Sequence, residues 1–158
     1  MTLEATTDVV ARIDEAWGEL ERAMAALSEH DLTGIRDRAG WAVKDHLIHL
    51  AAWEQALVAG LEGRPRHEAL GIDEATLQGD DDTVNAAIFA RHRDRPLGEV
   101  LAAMRATHAA TRARLARAPL GPGPALTDVA GNTWEHYAAH LGWIRELVGG
   151  GGVVREGT

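Results

Sequence analysis

The chain contains no cysteine. That absence excludes a disulfide framework, a thiolate nucleophile and any cysteine-ligated zinc, so thiol chemistry here needs a thiol supplied from outside. Lysine is nearly absent as well, with Lys44 its only example among many arginines. Tyrosine and phenylalanine occur once each. Basic charge is in short supply: 16 Lys and Arg face 24 Asp and Glu, for a net charge of -8 and a pI near 5.4. A chain with no basic patch to neutralise phosphates is a poor nucleic-acid partner. No stretch approaches the roughly eighteen uninterrupted apolar residues of a membrane span. Met1 to Val10 carries acids and no long apolar run, so it does not read as a secretory signal, and a cytoplasmic protein is the expectation.

What is present is an apolar, helical chain. Hydrophobic residues make up 46% of the 158, enough for one globular domain over residues 1–148, with a flexible glycine-rich tail over 149–158. Four long segments carry a helical period. The first runs from about Thr7 to Ser28 on Val9, Val10, Ile13, Trp17, Leu20, Met24 and Leu27. The second opens near Trp41 and ends at Leu61, before Gly63 and Pro65. A long connection from Gly63 to about Asp82 follows, of the length that is usually functional or mobile. A short helical piece from Thr83 to Arg91 leads to Pro96, which suits the start of the third long helix. The run from Pro119 to Pro124 reads as a non-helical crossing. The fourth helix is expected after Gly131, with Asn132 or Thr133 as its N-cap. No strand pattern appears. The simplest solution is all-α: an antiparallel four-helix bundle with long crossover connections.

The fourth helix holds the most informative spacing, His136 and His140 in Asn132-Thr133-Trp134-Glu135-His136-Tyr137-Ala138-Ala139-His140. Four residues apart, both imidazoles leave one helix face, with Cβ atoms about 5–6 Å apart. Two nitrogens can then reach one metal ion at about 2.0–2.1 Å. Both also fall within the apolar stripe of Tyr137, Ile144 and Leu147, where an imidazole needs either a metal or a buried hydrogen bond. A third histidine lies upstream, in Lys44-Asp45-His46-Leu47-Ile48-His49. Three nitrogens from two helices leave a coordination position open, as catalytic sites do. The helical wheel sets His46 nearer the middle of the apolar stripe and His49 on its flank beside Trp53, so periodicity alone favours His46.

Other residues carry two readings each. Glu54 falls inside the apolar stripe, as a general base with raised pKa or as the partner of an arginine such as Arg105. Tyr137 is either a hydroxyl near the site or a core residue. Asp45 either orients the second nitrogen of His49 or is an acid placed at a helix start by the dipole. His108 aligns with the apolar residues of the third helix, as a fourth imidazole or as core. Trp41, Trp53, Trp134 and Trp143 can line a ligand pocket, whereas Trp17 reads as core.

The Trp41-Ala42-Val43-Lys44-Asp45 opening, His49, Trp53-Glu54 and the Asn132–His140 block resemble the DinB-like four-helix bundles. Asn85-Ala86-Ala87-Ile88-Phe89-Ala90-Arg91 and Arg93-Asp94-Arg95-Pro96-Leu97 are most similar to its ClbS/DfsB branch. The resemblance covers roughly Val9 to Val148. It implies a divalent ion held between the second and fourth helices by His49, His136 and His140, selecting His49 over His46. Zinc or nickel is the ion it implies, and imidazole also suits iron. Its relatives include transferases that use low-molecular-weight thiols and a cyclopropane hydrolase of natural-product self-resistance. The implied function is a metal-dependent hydrolase or external-thiol transferase acting on a small electrophile, in detoxification or self-resistance. A metal-independent hydrolase or sequestering protein is the alternative within that branch, and a non-catalytic bundle with structural histidines is another. The expected partner is a small molecule. Exposed apolar faces on the first or third helix also leave room for a homodimer.

Overall fold

The computed structural model describes residues 3–120 and 124–150. Among them the chain is helical throughout, with no strand beyond an isolated bridge between Arg36 and Ala42. The elements in order are α1 (Leu3–Ala25), α2 (Glu29–Thr33), α3 (Val43–Leu61), α4 (Arg66–Leu70), α5 (Glu74–Leu77), α6 (Asp81–His92), α7 (Leu97–Arg117), α8 (Pro124–Asn132) and α9 (Trp134–Val148).

The centre of the molecule is α3. It packs against α7, α4, α6, α8, α9 and α2, while α1 packs against α9 and α7. Of its 19 residues 15 are buried, so it has no solvated face and no single apolar stripe. Leu47, Leu50 and Leu57 join Ile13 and Leu20 of α1, Val100 and Leu115 of α7 and Ile144 of α9 in one apolar core. The opposite side of α3 packs Ala52 and Ala56 against Leu70, Val84 and Ile88 in a second, smaller core. Burying a side chain of this size contributes about 1.5–3 kcal/mol. The start of α3 is fixed by polar groups. Asp45 accepts from the backbone N–H of Ala42 at 2.8 Å, and the Lys44 ammonium donates to the carbonyls of Arg93 and Arg95.

Three expectations are corrected by these elements. The first helix ends at Ala25, because Ser28 serves as the N-cap of α2 and accepts from Asp31 N–H. The connection after Gly63 is not irregular. It holds α4, closed by Gly71 at φ 67°, and α5, capped by Asp73. Each is about one turn long, too short for a periodic signal. The stretch ending at Pro124 is also part helix, since α8 begins at that proline, where a missing N–H is tolerated. At the junction with α9, Thr133 caps nothing with its side chain. Its hydroxyl donates to the Val129 carbonyl, and its backbone departs from helical values at φ -129° and ψ -107°. The middle of that crossing, residues 121–123, lies outside the described residues, as does the expected tail beyond Gly150.

Candidate metal centre

The start of α3 and the first turns of α9 meet at one end of the molecule, where four imidazoles gather. His49 Nε2 stands 3.3 Å from His136 Nε2. The rings of His49 and His136 lie 4.8 and 4.7 Å, centroid to centroid, from that of His140. Ligand atoms of His49, His136 and His140 all lie within 4.8 Å of one another. Two nitrogens each about 2.0–2.1 Å from a tetrahedral zinc stand about 3.3–3.4 Å apart, so the His49–His136 separation already suits a shared ion. The donor set fits as well: three imidazoles and no thiolate are acceptable to zinc, nickel or iron.

Electrostatics keep these rings in the ligating form. Burial, reinforced by the neighbouring His136 and His46, pushes His49 down to about 3. Burial alone takes His136 to about 4. His140 is lowered by burial and by the three imidazoles around it. All three are neutral at pH 7, and each then has one unprotonated ring nitrogen, the form a cation requires.

The three are not equivalent in their surroundings. His140 Nδ1 lies 2.9 Å from His46 Nδ1, and His46 Nε2 lies 2.9 Å from Asp37 Oδ2. His49 Nδ1 and His136 Nδ1 are buried with no hydrogen-bond partner. Thus His46 belongs to the cluster, at its back, while His49 faces His136 directly.

A cavity of about 530 Å³ opens onto the cluster, walled by Asp37, Arg38, Trp41, Asn85, Trp143 and Glu146 beside the four histidines. Trp41 lies 5.2 Å from both His46 and His49 and is stacked on Phe89. Trp143 meets the His140 ring edge-on at 4.7 Å and is 53% exposed, an unusual state for an indole. Trp53 and Trp134 are not on this wall: Trp53 bonds Asn85 and packs on the smaller core, and Trp134 lies under Arg12.

Glu54 and Tyr137 meet each other instead of the cavity. The Tyr137 hydroxyl donates to Glu54 Oε2 at 2.5 Å, and Thr111 donates to Oε1 at 2.7 Å. Five residues advance a helix by about 140° beyond a full turn, which turns Glu54 away from the direction of His49. Burial raises Glu54 to about 7, against the lowering effect of those two hydroxyls. Asp45 does not reach the free nitrogen of His49; it caps Ala42 and lies 3.6 Å from Arg36. His108 is elsewhere, stacked on Trp17 at 4.3 Å and 3.5 Å from Asp14. Arg105 faces Glu21, not Glu54. Asp37, Arg38, Asn85 and Glu146 were not anticipated at the site. Asp37 precedes α3 in an irregular loop, where no period exists to place a side chain.

A helical protein with three neutral imidazoles converging on a water-accessible cavity is a candidate metalloprotein. A family model of the DinB superfamily matches residues 12–144, and the chain belongs to that superfamily. A crystal structure of an uncharacterised protein from Escherichia coli UTI89 shares the fold, with a TM-score of 0.71, 12% identity, and coverage of 94% of this chain and 95% of that one. No curated protein matches the sequence. No helix among the described residues is long and apolar enough to cross a membrane.

Proposed function

We propose that this protein is a metal-dependent enzyme of the ClbS/DfsB branch, acting on a small electrophile in detoxification or natural-product self-resistance. In this reading α1, α3, α7 and α9 are the four helices of the bundle. The observation that carries it is the convergence of His49, His136 and His140, all neutral, at the wall of the 530 Å³ cavity. When bound there, a divalent ion supplies a Lewis acid that lowers the pKa of a water or an external thiol toward neutrality.

The chain's own residues contribute position and an apolar wall. His49 and His136 hold their Nε2 atoms at a spacing that needs little movement to share an ion. Trp41 and Trp143 present apolar surface beside the cluster, which favours an apolar or planar substrate portion. Without cysteine the chain supplies no nucleophilic sulfur, so transfer to sulfur draws on a free thiol. Glu54 and Tyr137 have their hydrogen bonds satisfied by each other and Thr111, and act as a buried polar lock.

Elemental analysis of tag-free protein tests the reading. About one zinc, nickel or iron per chain, lost in both His49→Ala and His136→Ala, is the expected result. Protein that takes up no metal after reconstitution with zinc and nickel removes the mechanism. A metal-independent, ligand-sequestering protein is the second reading, favoured by one observation: His49 and His136 already satisfy each other's Nε2 atoms without an ion. It expects ligand binding that survives chelation.

A further inference from the structure

Of the three triad histidines, His140 alone has a hydrogen-bond partner behind it, and that partner is a buried histidine held by a carboxylate. We infer that Asp37 and His46 form a tautomer relay that fixes His140 with its proton on Nδ1 and its Nε2 lone pair facing the cavity, making both positioning residues of the metal centre. The inference rests on the metal-binding reading above and assigns to it two residues that touch no ion.

The chain of bonds admits one consistent assignment. Asp37 is acceptor-only, so the proton between Asp37 Oδ2 and His46 Nε2, 2.9 Å apart, sits on Nε2. In the relay that is the one proton His46 carries, so its buried Nδ1 presents a lone pair and accepts. The partner 2.9 Å away is His140 Nδ1, which therefore donates. A neutral His140 with its proton on Nδ1 has an unprotonated Nε2, the nitrogen that has no other bond. Outer groups that hold a ligating imidazole in this way fix its ring orientation and raise its basicity.

The loop before α3 makes the relay one-directional. Asp37 Oδ1 is already committed, accepting from Ala39 N–H at 2.9 Å and Trp41 N–H at 3.0 Å. Two backbone donors at that position demand an oxygen. In Asp37→Asn the amide oxygen must stay with them, and the amide nitrogen then faces His46 Nε2. That isosteric change turns an acceptor into a donor. His46 must shift its proton to Nδ1, His140 Nδ1 must accept, and the His140 proton moves to Nε2, where it blocks ligation.

Long-range ¹H–¹⁵N spectra of histidine-labelled, metal-free protein read the tautomers directly. His46 protonated on Nε2 and His140 on Nδ1 are expected; His140 protonated on Nε2 in the wild-type chain overturns the relay. Zinc titration then separates function from folding. Asp37→Asn is expected to keep the wild-type circular dichroism, to reverse both tautomers, and to bind zinc about 10- to 100-fold more weakly. Unchanged zinc affinity with unchanged tautomers in Asp37→Asn overturns the relay and leaves the three-histidine site standing. A wild-type chain that binds neither zinc nor nickel overturns the underlying metal reading, and the relay's role with it. Should Asp37→Asn fail to fold, the wild-type tautomers alone still decide.

Discussion

Glu54 is a carboxylate in an apolar core with two hydroxyl donors and no cation, and that environment sets a pH dependence. Its pKa rises from 4.5 to about 7 on folding, so the native state binds the extra proton between those values. Stability from this group therefore falls as pH climbs from about 4.5 to 7, by about 3 kcal/mol in all. The histidines act in the opposite sense. His49 and His136 are neutral when folded but take protons near pH 6.5 when unfolded, so they destabilise the fold as pH drops below that value. Several imidazoles outweigh the one carboxyl, so thermal melts of metal-free protein should show stability falling steeply below about pH 6.5 and levelling off above about pH 7. Glu54→Gln should steepen that acid loss, because it removes the proton uptake by the folded state that opposes it. Tyr137→Phe should cost about 1–3 kcal/mol, because it deprives a buried oxygen of its donor.

At the scale of elements, α3 decides both the fold and how much of it can be read from sequence. The long helices α1, α3, α7 and α9 announce themselves through apolar residues at three- and four-residue steps. The small ones do not, since α4 and α5 span five and four residues and α8 opens on a proline that reads as a breaker. Periodicity also could not choose between His46 and His49. A helix buried on all sides has no preferred apolar face, so both imidazoles are inside and a wheel cannot rank them. The i, i+4 pair on α9 was legible because two residues on one face need no tertiary knowledge. Asp37 and Asn85 were not, because they reach the cavity from a loop and a separate helix. The second core makes a prediction of its own. Leu70→Ala should cost about 2–5 kcal/mol and raise hydrogen exchange in α4, α5 and α6. Metal stoichiometry should not change, because none of that core's residues touches the imidazole cluster.

For the molecule as a whole, the proposed metal links stability to solution composition. An ion that binds only the native chain adds about 2.7 kcal/mol when its free concentration is 100 times its dissociation constant. Melting temperature should therefore rise with added zinc or nickel and fall with a chelator, and His136→Ala should abolish the dependence. The gain should shrink below about pH 4, where protons begin to compete for the nitrogens of His136 and His49 in the folded chain.

Lys44 carries the sole side-chain amine of the chain, and its nitrogen is tied to two carbonyls at the foot of α6, with 8% of the residue exposed. To an acylating reagent the folded molecule therefore presents almost no side-chain amine, although it carries many arginines. Acylation at position 44 becomes a chemical clock for the opening of the central helix: each modified chain records one escape of that ammonium from its carbonyl seat.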